Sequence, residues 1–383
     1  MWLKLHSGFS TLLALLIVST FSTVSWAQEV YEYSQSVKDL GRGGVRITTE
    51  TDGAMMLYNP AMLAFTKGIR WSIADVGFGV GGTNGSNNLT LVQSNPAPNN
   101  LNPFFGNNVW VGGTGRSSFA LPNFGFAGYE NEAYDLLVQN PANPTVSLSE
   151  VNDVGYLIGG AFNLSPSLAF GVNLKRVTRT GGNTISIGPG NLLSNLNNIG
   201  TYLQSQLGQF STGTGYGVDT GLIWKPNVTA NPMVSLCWQD TGYTSFYSAT
   251  GTNPPPPIED NLTLGLTAHQ EFLGFGWGAG LEYRHINNVD VDISKKFNAG
   301  IELNLLLLDA RYGFYQGWPG YGASVDLWLL SIDAAYYTVE RGTVAGQLPD
   351  YRYQVGVSIE AGFDPFFNIS EFGSKNRRLK QRR

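Results

Sequence analysis

"YQVGVSIEAGF", residues 353–363, alternates without a break. Tyr353, Val355, Val357, Ile359, Ala361 and Phe363 fall on one face; Gln354, Gly356, Ser358, Glu360 and Gly362 fall on the other. A period of two makes this a β-strand whose sides meet different surroundings. In a soluble sandwich the apolar side would face a core, whereas in a membrane barrel it faces lipid and the polar side lines a lumen. One strand does not choose between them.

Neighbouring segments repeat the pattern. Phe297, Ala299, Ile301 and Leu303 oppose Asn298, Gly300, Glu302 and Asn304, and after a turn Ala310, Tyr312 and Phe314 oppose Asp309, Arg311 and Gly313. Parity flips across the turn, so one side of the hairpin stays oily. Fourteen strands follow, at 71–80, 118–128, 132–139, 153–163, 167–177, 215–225, 232–240, 260–270, 275–286, 294–304, 308–316, 319–327, 331–340 and 352–363. Most have about the 9 to 11 residues that a tilted strand needs to cross a bilayer.

The connections decide between sandwich and barrel. They run long (81–117), short (129–131), medium (140–152), short (164–166), long (178–214), short (226–231), long (241–259) and short (271–274), with 317–318 a later exception to the alternation. Long loops on one side and tight turns on the other mark an outer-membrane barrel. The expected fold is an all-β transmembrane antiparallel barrel of about 14 strands. Closure leaves no open edge in lipid.

Composition agrees. With 48 glycines, 13% aromatic and 13% charged residues, the chain is short of charge for a soluble protein, where about a quarter of residues are charged. Residues 1–27, with Lys4, an apolar run from Leu12 to Val18 and small residues ending at Ala27, read as a secretory signal peptide. Cys237 is the single cysteine, so no intrachain disulfide forms, and it reads as a small wall residue. Residues 28–363 hold 16 basic and 26 acidic residues, which disfavours nucleic acid as a partner. The basic tail, 364–383, reads as a solvated periplasmic end.

Two regions stand outside the wall pattern. In the long fifth connection, Leu192, Leu196, Ile199, Leu203 and Leu207 recur at helical spacing and predict one amphipathic helix. The first long loop carries Phe104, Phe105 and Trp110, an oily patch suited to an apolar ligand, and "NPPPP" (253–257) reads as a stiff loop element.

No metal or catalytic motif emerges. His269 and His285 have neither a second histidine nor a cysteine at ligand spacing, and no nucleophile-elbow sequence occurs. Neither a cofactor nor an enzymatic activity is expected. By parity Lys175, Asp219, Glu282, Arg284, Glu302, Asp309, Arg311, Asp326, Asp333 and Glu360 should line the lumen. Their mixed signs suit bracing ion pairs better than a one-sign path for a charged solute.

Residues 28–67 lack strand alternation, and the barrel is expected over 68–363. "SVKDLGRGGVRITTETDGAMMLYNPAML" (36–63) combines Gly41, Gly43 and Gly44 with Asn59, Pro60 and Ala61. Glycines allow tight folding in a crowded lumen, while Pro60 stops propagation and Asn59 can bond its own backbone. This stretch resembles the N-terminal hatch of the FadL-type outer-membrane transport family. "GYGVDTGLIWKP" (215–226) and "AYYTVERGTVAGQLPDYRYQVGVSI" (335–359) are similar to its TraF-like and PorV-like branch. The FadL resemblance implies a bacterial outer-membrane protein that takes up hydrophobic, fatty-acid-like small molecules past a movable hatch, with outer-membrane lipid around it. The PorV-like resemblance implies instead a non-transporting scaffold or shuttle, with a secreted or periplasmic protein as partner.

Overall fold

The computed structural model describes residues 29–30, 32, 35–46, 53–83, 105–139, 142–250, 254–272, 275–327 and 329–363. The expected signal peptide, the basic tail and Phe104 lie outside the described residues.

The strands are β1 (Ile69–Gly82), β2 (Asn108–Leu121), β3 (Phe124–Gln139), β4 (Thr145–Ser165), β5 (Leu168–Ile187), β6 (Thr212–Trp224), β7 (Met233–Gln239) and β8 (Phe246–Thr250). They continue with β9 (Asn261–Phe272), β10 (Phe275–Tyr283), β11 (Phe297–Leu305), β12 (Leu308–Tyr315), β13 (Trp318–Leu327), β14 (Leu330–Glu340) and β15 (Pro349–Phe363). Every ladder is antiparallel, β7 pairs directly with β9, and β1 pairs with β15, so fourteen strands close into a barrel. The short β8 adds to the outer end of β6 only.

On β15 the burial is inverted relative to a soluble protein. Val355 and Val357 are 59% and 43% exposed, while Gln354 and Ser358 are 3% and 1% exposed. The oily face therefore meets the hydrocarbon, and the polar face is covered from inside. Around the wall Trp71, Phe78, Phe126, Ile158, Leu266, Ile301, Phe314 and Ile332 continue this apolar exterior. Tyr312, Tyr321, Tyr336 and Tyr353 pack ring against ring across β12 to β15, forming part of an aromatic belt.

The strand count holds, but the bounds differ: residues 145–152 and 178–187, assigned to connections, extend β4 and β5, β8 lies within the 241–259 connection, and the β2–β3 hairpin is shifted. Residues 118–128 are not one strand: they cross a two-residue turn at Pro122–Asn123, where Asn123 adopts φ 67°. Residues 108–117, assigned to the first long loop, form most of β2, and 129–131 lie inside β3. Trp110 is accordingly a lumenal wall residue stacked 4.2 Å from the Arg352 guanidinium, and Phe105 packs against the Val138–Val146 cluster. There is no shared oily patch between them.

The expected single helix is also broken. Pro189–Ser194 forms α2 and Ile199–Leu207 forms α3, with a tight 3-10 turn at Leu196–Asn198 between them; α1, Val37–Gly41, lies inside the barrel. Leu192 and Leu203 still fold against Val138, Val146 and Ile187. They cover the part of β3 to β5 that rises past the mouth. β4, at 21 residues, reaches about 50 Å along the membrane normal when tilted, twice the roughly 25 Å apolar band.

Candidate functional site

The described residues ahead of β1 occupy the lumen in two layers. The inner, periplasmic-side layer is built from two 3-10 turns, Gly53–Leu57 and Pro60–Phe65. Asn59 opens the second turn: its Oδ1 accepts from Ala61 N at 3.0 Å and Pro60 takes the first helical position, where its missing N–H leaves nothing unpaired. Ala54, Met55, Met56, Leu57, Ala61 and Leu63 are buried against wall residues Ala120, Ala127, Leu157, Ala169 and Ile223. The wall is shaved down to admit them. A Cβ on Gly171 would strike the backbone of Pro60 and Ala61, and one on Gly221 would strike the Asn59 side chain.

A backbone inside a barrel must still satisfy its carbonyls. Asn173 Nδ2 donates to Met56 O (2.7 Å), Gln239 Nε2 to Leu57 O (3.0 Å) and Cys237 Sγ to Tyr58 O (2.9 Å). Lumen-facing polar residues of β5 and β7 thus act as the missing secondary-structure partners. Cys237 does more here than fill the wall.

The outer layer is mainly polar, although Val37 and Leu40 of its helix pack against Tyr315, Ala335 and Tyr337 of the wall. It holds α1, whose cap is reciprocal: Ser36 Oγ accepts from Asp39 N at 3.0 Å and Asp39 Oδ2 accepts from Ser36 N at 3.1 Å. Asp39 is fully buried and also takes Arg42 Nη2 and Tyr58 Oη, each at 2.7 Å. Tyr58 in turn is held by Arg116, which pairs with Asp75 of the wall. One carboxylate therefore ties the two layers together.

After α1 the chain turns on Gly43 and Gly44, both at φ 74°, a conformation that side-chain-bearing residues rarely adopt. A Cβ on Gly43 would also run into Ala299 O and the Phe314 backbone. Gly41 lies on Gly322, and Arg42 lies over Gly300 and Gly313, so here backbone rests on backbone.

The lumen-facing charges from the sequence reading fall into three groups and two separate contacts. Lys175 Nζ sits 2.7 Å from both Asp219 and Asp240, joining β5 and β6 to the segment after β7. Glu302 pairs with Arg311 and, at 3.5 Å, with Arg42 of the enclosed segment; Arg311 also meets Asp309 at 3.2 Å and Asp333 at 3.7 Å. Glu282 accepts from Arg284 at 2.6 Å and from Arg46 N at 2.5 Å. Glu360 meets Lys38 at 3.7 Å, while Asp326 is half-buried and its N–H donates to Leu307 O in the neighbouring turn. Arg46, Tyr58, Cys237, Gln239 and Glu282 line a polar void of about 10 Å³, room for about one water.

At the outer end, Glu32 reaches Arg46, Arg284 (3.4 Å) and His285 Nε2 (2.8 Å). Two guanidiniums already share the Glu32 charge. Burial, together with Arg284, Arg46 and Lys296, pushes the His285 pKa down to about 3, so the imidazole is neutral. Glu29 pairs with Arg352 at 2.6 Å on the far side of the mouth. Glu29, Asp135 and Asp350 converge within 4.8 Å, but Arg341 and Arg352 pair with these carboxylates and occupy the place a cation would take. His269 and His285 belong to opposite ends of the wall and do not form a site.

Against solved structures the chain aligns with a Pseudomonas aeruginosa FadL homologue at TM-score 0.52 and 11% identity, covering 88% of this chain and 100% of that one. The chain has the FadL-type barrel fold. It aligns likewise with the deltaS2S3 mutant of the TodX monoaromatic hydrocarbon channel at TM-score 0.50 and 14% identity, covering 86% of this chain and 99% of that one. No protein-family model matches the sequence, and no curated protein matches it either.

Several residues that build the site were not singled out from sequence. Asp39, Arg42, Arg46, Tyr58, Asp75 and Arg116 are all buried in it. Asp75 and Arg116 carried a readable signal, since each puts a charge on the lumenal parity of a strand.

Proposed function

We propose that this chain is a bacterial outer-membrane transporter for hydrophobic small molecules, a FadL-type protein whose residues 28–67 act as a hatch with Gly41, Gly43, Gly44, Asn59, Pro60 and Ala61 at its turns. The observation that carries this reading is the filled lumen: an apolar layer on the periplasmic side and a charged layer at the mouth, both made by a segment continuous with the wall only at Ile69. Such a segment can shift without breaking any strand ladder. The fold it shares with a monoaromatic hydrocarbon channel and a FadL homologue supports the same reading. Movement would be driven by the solute's gradient, with no cofactor and no catalytic step. The lumenal charges brace the wall and hold the hatch; they do not form a conducting path.

A second reading, a PorV-like scaffold for exported proteins, draws support from the raised β3–β5 ridge with α2 and α3 on it, and from the tight seal around Asn59–Ala61. Proteoliposome uptake of labelled long-chain fatty acids and aromatic hydrocarbons tests the choice. Intact protein should accelerate uptake over empty vesicles, and protein lacking residues 28–67 should change the rate and admit polar solutes. No acceleration by either form would end the transport reading.

A further inference from the structure

Among the described residues, five periplasmic turns are of two kinds. Those of the β2–β3, β4–β5 and β6–β7 connections carry Pro122–Asn123, Pro166–Ser167 and Lys225–Pro226–Asn227, as turns in water should. The β11–β12 turn is made of Leu305, Leu306, Leu307 and Leu308, and the neighbouring β13–β14 connection is flanked by Leu327, Leu329 and Leu330. Leu306 and Leu307 are 62% and 56% exposed, and Leu305, Leu308, Leu327 and Leu329 are exposed beside them. The two turns are joined, since Asp326 N donates to Leu307 O at 3.0 Å.

Wall length says what covers this patch. β12 has 8 residues between two tight turns, fewer than the roughly 9 to 11 of a strand that crosses a bilayer. At about 3.4 Å per residue and a tilt of about 40°, it rises about 21 Å, short of the roughly 25 Å apolar band. One end of β12 must therefore finish inside hydrocarbon. The outer end is excluded: Gln316 is buried and its Oε1 accepts from Glu340 N at 3.1 Å, Gly317 packs on Ala345, and Trp318 Nε1 donates to Glu340 at 3.0 Å. The leucine end remains.

We propose that the β11–β12 and β13–β14 turns end within the inner leaflet, so that acyl chains, and not periplasmic water or a protein, cover them. The barrel is then anchored asymmetrically, deep at β11–β14 and shallow at β2–β6.

The test places a nitrobenzoxadiazole label at Leu306→Cys, with Leu329→Cys as a second site and Asn227→Cys as the aqueous reference, in full-length protein in phosphatidylcholine–phosphatidylglycerol vesicles. Cys237 is buried and should stay unlabelled in the folded barrel, which the unsubstituted protein checks. Acyl-brominated phosphatidylcholine should quench the labels at 306 and 329 at least twofold more than the label at 227, and iodide on both sides of the membrane should show the reverse order. Labels at 306 and 329 that iodide quenches as strongly as the one at 227, with no effect of brominated chains, would overturn the proposal. Loss of both kinds of quenching at 306 and 329 would also overturn it, because the turns would then be covered by protein, a second copy or another chain.

Discussion

The two layers inside the barrel share a close fit to the wall, but only the outer one adds a network of buried charge. The inner layer is fixed by shape: small wall residues leave a hollow that Met56, Ala61 and Leu63 fill, and wall side chains catch the segment's carbonyls. The outer layer is fixed by charge as well: Asp39, Arg42, Arg46 and Glu32 pair among themselves and with Glu302, Arg284 and His285. Shape is insensitive to pH and salt, and buried charge pairs are stable only while both partners are charged and present. The outer layer should therefore be the first to let go.

Four changes would break or sharpen that contrast. The largest effect is expected from Asp39→Ala, which leaves Arg42 buried without its nearest counter-charge, strips Tyr58 of its acceptor and removes the carboxylate half of the cap. About 3–5 kcal/mol should be lost from the docking of residues 35–46, read as amide hydrogen exchange that rises there before it rises in the wall. Acidification comes next. His285 has a folded pKa of about 3 against about 6.5 when released, so the released state binds the proton and docking weakens as pH falls below 6.5, by about 1.4 kcal/mol per unit down to about 3. At pH 4.5 exchange over residues 35–46 should exceed that at pH 7.5, and His285→Gln should flatten the difference; an identical profile in the variant would assign the effect elsewhere.

The inner layer should answer to volume instead. Gly171→Val puts carbon where the Pro60–Ala61 backbone lies, with a cost of about 1–3 kcal/mol typical of overpacking; protease cleavage within 53–66 should appear while the pH response of the outer layer is retained. The smallest effect belongs to Asn59→Ala, which removes a single cap and should cost about 1 kcal/mol by the same proteolysis assay.

The wall was readable because lipid reverses the usual burial rule without altering the period, so β15 or the β11–β12 hairpin gives itself away in a dozen residues. β2 did not: Gly112, Gly113 and Gly115 and the inward Arg116 dilute its apolar side, and the αL signal of Asn123 after Pro122 was overridden by the apolar residues around it. The helix in the fifth connection kept its spacing, but Asn195 lets the chain tighten into a 3-10 turn. Parity placed Glu302, Arg311 and Lys175 on the lumenal side, yet their partners were beyond reach. Arg42 and Glu302 are 260 residues apart, and nothing local in one sequence links them.

The glycine floor beneath Gly41 to Gly43 has a consequence for biogenesis. That floor belongs to β11, β12 and β13, while Asn59 to Ala61 rest on β5 and β6, so the leading segment touches strands from both halves of the chain. The β1–β15 seam shuts around a segment that emerged before any of them. A barrel assembled without the leader would close at the same seam but lack this strut between its early and late strands.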